Sequence, residues 1–178
     1  MTSVKRIIFV LSFLSMSSIH AQKKQLKKLD FFIGEWLLET RDIQPDGSFK
    51  KGTAKSSVTY ILDGYAIQDD YRVLDENKTI IFRGTSIRSF NVQTGKYQIV
   101  WMMPGLTGLT DITADFIDSR LVGKGKGYDE NGSFIERFEY YNISKDRYSF
   151  KMDRSYDNGK NWINNFGTFE AKRIQEKK

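Results

Sequence analysis

The sequence has no cysteine and one histidine, His20. Without a thiol there is no disulfide, no thiolate nucleophile and no thiolate-held metal. Proline is nearly absent, at two residues. After the first twenty-one positions no apolar run reaches the ~20 residues that a bilayer-spanning helix needs. Charge of one sign is not strongly in excess either: the whole chain carries +6. Much of that excess sits at the ends, in Lys23, Lys24, Lys27 and Lys28, then Lys172, Arg173, Lys177 and Lys178. No stripe of interleaved basic and aromatic residues argues for nucleic acid.

What is present begins with an export signal. Lys5 and Arg6 precede a short apolar core, residues 7–14, and a small-residue stretch that ends at Ala21-Gln22. That is the pattern of a secretory signal peptide. Ile19, three positions before the cut, is less usual than alanine there, so the cut has room to slip by a residue or two. The expected mature chain is residues 22–178, one exported domain, periplasmic or secreted. With no cysteine after the signal it is not expected to be a lipoprotein. Cleavage would also remove His20. Histidine general bases, Ser-His-Asp triads and histidine-ligated zinc or haem would then be excluded. Catalysis would fall to carboxylates, Tyr, Lys or Arg, and a metal would have to be a hard ion held by oxygens. We expect no cofactor and no metal site.

The aromatic share is high, 14%, and aromatic and β-branched residues favour a pleated, half-buried surface. A short helix is expected over 25–33, where Leu26, Leu29, Phe32 and Ile33 share one face. Gly34 ends it. The period then changes to two, with Trp36, Leu38 and Thr40 on one side of a strand. Nine further strands are expected over 49–62, 65–74, 79–90, 96–103, 109–117, 121–128, 134–143, 147–156 and 161–174. Turn signals such as Pro45-Asp46-Gly47-Ser48 and Asp63-Gly64 separate them. Tight connections make an antiparallel meander, and a meander of this length tends to close, because closure removes exposed edges. The fold class is therefore all-β, an up-and-down barrel of about 8–10 strands with the helix plugging one end.

Taking the more apolar face of each strand as interior gives an aromatic-rich lining. It includes Trp36, Tyr60, Leu62, Ile80, Trp162, Asn164 and Thr168 along with the aromatics discussed below. It also carries Asp69, Arg88, Glu136, Arg154 and Asn164. An ionised group in a dry interior costs several kcal/mol unless paired. These residues therefore either pair across the barrel, lie at its wet rim, or anchor a ligand. In the seventh strand Gly123, Gly125 and Gly127 alternate with Lys124, Lys126 and Tyr128. One face there is bare, which marks a bend, a seat for a neighbour's aromatic ring, or a wall beside a ligand. Ser155-Tyr156-Asp157-Asn158-Gly159-Lys160-Asn161-Trp162 fits the Asp-box pattern of sialidase-like propellers. It occurs once, in a chain too short for several blades, and reads as a local turn.

Gly34-Glu35-Trp36 on a first strand after a short helix is similar to the Gly-x-Trp signature of lipocalins and the wider calycin group. Asp63-Gly64-Tyr65, the strand from Phe82 to Arg88, and Thr94-Gly95-Lys96-Tyr97 ahead of Trp101 extend the likeness. Together they resemble a bacterial lipocalin-like family of unknown function, over most of Phe31 to Phe169. The resemblance implies a barrel with a cavity and places Trp36 at its closed end. The chain lacks the disulfide and C-terminal helix usual in secreted lipocalins.

Three functions compete. One is a binding barrel for a small hydrophobic or amphipathic molecule, anionic ones included. There Tyr71, Phe82, Trp101, Phe138, Met103 and Met152 would grip the apolar body, and Arg88 or Arg154 would pair with an anion. A second is an isomerase, lyase or hydrolase that uses Asp69 and Glu136 as acid and base, with Tyr71 or Tyr140 as a proton donor. The third is a solid-packed interaction protein with an exposed apolar patch.

Overall fold

The computed structural model describes residues 20–44, 46–104 and 108–175. Residues 1–19 of the expected signal peptide lie outside them. Residues 20–26 are α-helical, and Lys27–Phe32 continue as a 3-10 helix. Leu26, Leu29 and Phe32 fall three apart, and in a 3-10 helix such residues eclipse one another along one edge. All three are buried. Ile33 leaves the helix in extended conformation. Among the described residues no helix is long and apolar enough to cross a membrane.

Ten strands follow: β1 (Gly34–Ile43), β2 (Phe49–Ile61), β3 (Ala66–Leu74), β4 (Ile80–Asn91), β5 (Lys96–Met102), β6 (Thr110–Ile117), β7 (Arg120–Asp129), β8 (Gly132–Tyr141), β9 (Arg147–Ser155) and β10 (Ile163–Arg173). Each pairs antiparallel with its neighbours in sequence, and β10 returns to β1, so the barrel is closed. Odd-numbered strands run away from the helix and even-numbered strands run back to it.

The helix end is the packed end. Trp36 is fully buried, donates from Nε1 to the Phe32 carbonyl at 2.7 Å, and meets Tyr148 edge-on at 4.7 Å. Phe32 meets Tyr140 and Tyr148 edge-on. Tyr97 donates from its hydroxyl to the Gln25 carbonyl at 3.0 Å, which ties β5 to the helix. Each large side chain buried in this way contributes about 1.5–3 kcal/mol.

Arg173, at the end of β10, fastens the plug. It donates from Nη1 to the Ile33 carbonyl at 2.5 Å, from Nη2 to the Phe31 carbonyl at 3.2 Å and from Nε to the Lys145 carbonyl at 2.8 Å. Its guanidinium carbon lies 4.1 Å from the Trp36 ring centroid. Gly34 has φ +123°, and a Cβ built there would stand 2.4 Å from Arg173 Nη1. The glycine is thus needed twice, for its backbone and for the passage of the guanidinium. From the sequence alone Arg173 is only one of the positive charges gathered at the ends of the chain.

The strands fall where the sequence places them, within a residue or two of each expected end, but three stretches of the expected interior are corrected. Tyr60 and Leu62 are exposed, not interior. The inward row of β2 is Ala54, Ser56 and Val58. Beyond it Tyr60 reaches the side chain of Asp30 on the helix, and Leu62 sits at φ 51° in a turn. Ile80 is exposed because the β3–β4 register shifts between Val73 and Leu74. In β10 a bulge between Ile163 and Gly167, with Asn165 at φ 53°, flips the parity. Past it Gly167, Phe169 and Ala171 share the inward parity, and Thr168, paired with Arg41, only borders the cavity. Trp162 instead packs its ring under the Arg137 guanidinium on the outer face, at 4.3 Å.

The glycine row of β7 is a row of seats. A Cβ on Gly123 would meet the Phe138 ring at 2.2 Å, and one on Gly127 would meet the Phe134 ring at 2.6 Å. One on Gly125 would meet Ile112 at 2.8 Å and Glu136 at 3.0 Å. The Asp-box stretch is a turn: Gly159 N–H donates to Ser155 Oγ, Asn161 N–H donates to Asp157 Oδ1, and Trp162 Nε1 donates to the Gly159 carbonyl.

Candidate functional site

Above the plug the barrel holds a cavity of about 580 Å³ that reaches the loops at the far end. The interior is therefore not solid-packed. Of the residues expected to grip a ligand, Tyr71, Arg88, Trp101, Met103, Phe138, Met152 and Arg154 line this cavity. Phe82 does not. It keeps the inward parity of β4 but lies two residues past Gly84, where the Trp101 indole comes to rest; a Cβ on Gly84 would stand 2.3 Å from that ring. Trp101 also meets Tyr71 edge-on at 5.8 Å.

The charged residues form two separate clusters. The deep one sits near the plug. Arg88 donates from Nη2 to Asp69 Oδ2 at 3.2 Å, and Ser56 Oγ donates to Asp69 Oδ1 at 2.5 Å. The Arg88 guanidinium lies over the Phe32 ring at 4.6 Å. Arg88 is 3% exposed, and its Nε and Nη1 have no hydrogen-bond partner among the described residues. Nor has the hydroxyl of Ser86, the inward residue facing Asp69 across the β3–β4 ladder. Tyr140 and Tyr148 stand near this cluster, and burial pushes both phenols up. Burial also raises Tyr71, with the charges of Asp42 and Asp69 adding to the effect.

The second cluster is near the mouth. Arg154 donates from Nη1 to Asp129 Oδ2 at 2.9 Å and from Nη2 to Glu136 Oε2 at 3.1 Å. The Tyr156 hydroxyl donates to Asp129 at 2.8 Å. The guanidinium is held between the rings of Phe134 and Phe166, at 3.8 and 4.3 Å. Burial raises the Glu136 carboxyl above its ordinary value, against the pull of Arg154.

Asp69 and Glu136 both line the cavity, but on β3 and β8, which stand opposite each other in the ring of ten strands. Each carboxylate is engaged with its own guanidinium. Among the described residues no group of three or more His, Asp or Glu side chains is placed to hold a metal ion.

Asp42, Asp129 and Glu130 also line the cavity, and the sequence reading did not single them out. Two carried a signal. Asp129 continues the inward row Gly123, Gly125, Gly127 by one step, since β7 runs one residue further than expected. Asp42 continues Trp36, Leu38 and Thr40 in the same way. Burial raises Asp42 above its ordinary value, with Lys50 opposing.

The fold is similar to that of Rv2717c from M. tuberculosis, known from its crystal structure. The two agree with a TM-score of 0.61 at 12% identity, over 84% of this chain and 97% of that one. At that identity the likeness shows the fold alone, and with the ten-stranded closed barrel it fits a lipocalin-like, calycin-type architecture. No protein-family model matches the chain, and no curated protein matches it in sequence.

Proposed function

We propose that this protein is an exported, lipocalin-like binding barrel that carries a small hydrophobic or amphipathic molecule in its interior. The cavity of about 580 Å³ carries the reading. It falls within the 300–1,000 Å³ typical of small-molecule sites, which join apolar walls to a few placed polar groups. Tyr71, Trp101, Met103, Phe138 and Met152 supply the walls, and Arg88 and Arg154 supply polar anchors. Membership of a bacterial lipocalin-like family and removal of the first twenty-one residues on export belong to the same proposal.

An enzyme built on Asp69, Glu136 and Tyr71 has one observation in its favour, the raised carboxyl of Glu136. Against it, the two carboxylates stand on opposite walls, each tied to an arginine.

Titration with the uncharged fluorescent probe Nile red tests the binding reading. The expected result is saturable, one-to-one binding that Met152→Trp, which adds bulk to the cavity wall, weakens at least fivefold. Absence of saturable binding, or equal binding by M152W, would refute it.

A further inference from the structure

We propose that the cavity takes an uncharged amphiphile, seated with its polar head at the closed end against Arg88 and Ser86. This rests on the binding reading above and narrows it to one charge class and one orientation. It departs from the expectation that the arginines recruit an anion.

The orientation comes from unfilled donors. Arg88 holds Nε and Nη1, and Ser86 its hydroxyl, buried and without hydrogen-bond partners among the described residues, with the Tyr140 hydroxyl standing near the guanidinium. Arg88 and Ser86 are 3% and 4% exposed and occupy successive inward positions of β4. Buried donors without acceptors are costly. A head oxygen has two lone pairs and would accept from the Ser86 hydroxyl and one Arg88 N–H, relieving part of that cost. The mouth cluster makes no equal demand. Both terminal nitrogens of Arg154 are taken by carboxylates, and the guanidinium is held between two rings, which leaves only its Nε open.

The charge class comes from what surrounds those donors. Asp69 already neutralises Arg88 and accepts from Ser56. A carboxylate or phosphate head would sit beside Asp69 and repel it in a low-dielectric pocket, after losing its own hydration. An ammonium head would face Arg88 and meet the same objection. A hydroxyl or carbonyl oxygen accepts from the arginine and serine and adds no charge. The lining as a whole adds to the case against an anion, while the case against a cation rests on Arg88 at the closed end. Five carboxylates, on Asp42, Asp69, Asp129, Glu130 and Glu136, face two guanidiniums and no lysine. A chain with +6 overall thus lines its cavity with an excess of acids. An entering anion meets Asp42, Asp129 and Glu130 first. The middle of the cavity, with Leu38, Ile99, Ile112, Phe138, Phe150 and Met152, is apolar and takes the tail.

Displacement of Nile red by three matched probes tests this: dodecan-1-ol, dodecanoate and dodecylammonium, at pH 7.5 and below their micelle concentrations. The expected order puts the alcohol first, with dodecanoate at least tenfold weaker. Dodecanoate or dodecylammonium binding as tightly as the alcohol would overturn the charge assignment and leave the binding reading standing. Failure of Nile red itself to bind would remove both. Ser86→Ala deletes one donor without stranding a charge, and should weaken dodecan-1-ol about three- to tenfold. An unchanged affinity in S86A would overturn the head-down orientation.

Discussion

Alanine at position 123 would put a methyl group where the Phe138 ring now rests. The added Cβ would stand 2.2 Å from Phe138 Cζ, and 2.7 and 2.8 Å from its two Cε atoms. Gly123 does not have a positive φ, so the penalty is steric and not conformational. The ring has to retreat by more than about 1 Å to reach ordinary contact, yet it is 7% exposed and meets Tyr140 and Phe150 at centroid distances of 5.8 and 5.9 Å. Overpacking of this kind costs about 1–3 kcal/mol. Alanine also restricts the unfolded chain, which offsets about 0.4–1 kcal/mol. The net expectation for Gly123→Ala is a loss of about 1–2 kcal/mol, or a Tm lower by about 2–8 °C for a domain of this size. Urea unfolding followed by tryptophan fluorescence measures it. Gly108→Ala serves as the control, because nothing among the described residues lies within 4 Å of its added Cβ; it should fall within about 0.5 kcal/mol of the parent. Phe138→Leu in the Gly123→Ala background should recover part of the loss, with a coupling of about 1 kcal/mol in the double-mutant cycle. A G123A protein as stable as the parent, or strict additivity with F138L, would refute the idea that the glycine row exists to seat rings from β8.

Arg173→Ala should cost about 3 kcal/mol in chemical unfolding, since it removes three charged hydrogen bonds to carbonyls together with the contact on Trp36. Arg173→Lys should recover less than half, because an ammonium cannot reproduce the fork; full recovery would contradict the clamp. Glu136 has a pKa raised on folding by burial. The native state therefore holds its proton more firmly, and its contribution to stability falls as pH rises from the ordinary 4.5 through the raised native value. The stability of Glu136→Gln minus that of the parent should accordingly increase across that window, and a difference that does not change with pH would count against the buried, ionising carboxyl. Intact-mass analysis of exported protein should find a chain that begins at Gln22. That cut keeps the Gln22 side chain, which donates to the Tyr65 carbonyl at 3.3 Å and to Ser89 Oγ at 3.0 Å; an uncleaved mass would contradict the signal-peptide assignment.

The strand pattern was legible because turn residues punctuate it and inward parity survives along most strands. Trp36 and Leu38, Tyr97 to Trp101 and Tyr148 to Arg154 all alternate as written. Parity failed where the backbone inserts a residue or shifts register. Asn165 in the β10 bulge and the shift after Val73 have no clear mark in the side chains nearby. The cavity lining was legible for the same reason as the strands, and Phe82 was wrongly included because its fate depends on where the Trp101 ring lies, a tertiary fact. Arg173 was read as a surface charge because nothing local shows that β10 ends beside the plug. The pairing of Asp69 with Arg88 and of Glu136 with Arg154 follows from cross-strand register, and register is not written in either strand alone.

The seam between β1 and β10 has a kinetic meaning. Trp36 stands opposite Arg173, so the contacts that close the wall join the two ends of the domain. The entropy of closing so long a loop grows only slowly with its length and takes little from the finished stability. Non-local pairing does, however, slow folding. Until β10 is in place, nine strands can form only an open sheet whose two free edges invite other chains. The eleven residues of β10 thus decide between a self-contained molecule and a nucleus for aggregation. A chain that stops before Ile163 should associate at concentrations where the complete one stays monomeric, and light scattering on the two side by side would show it.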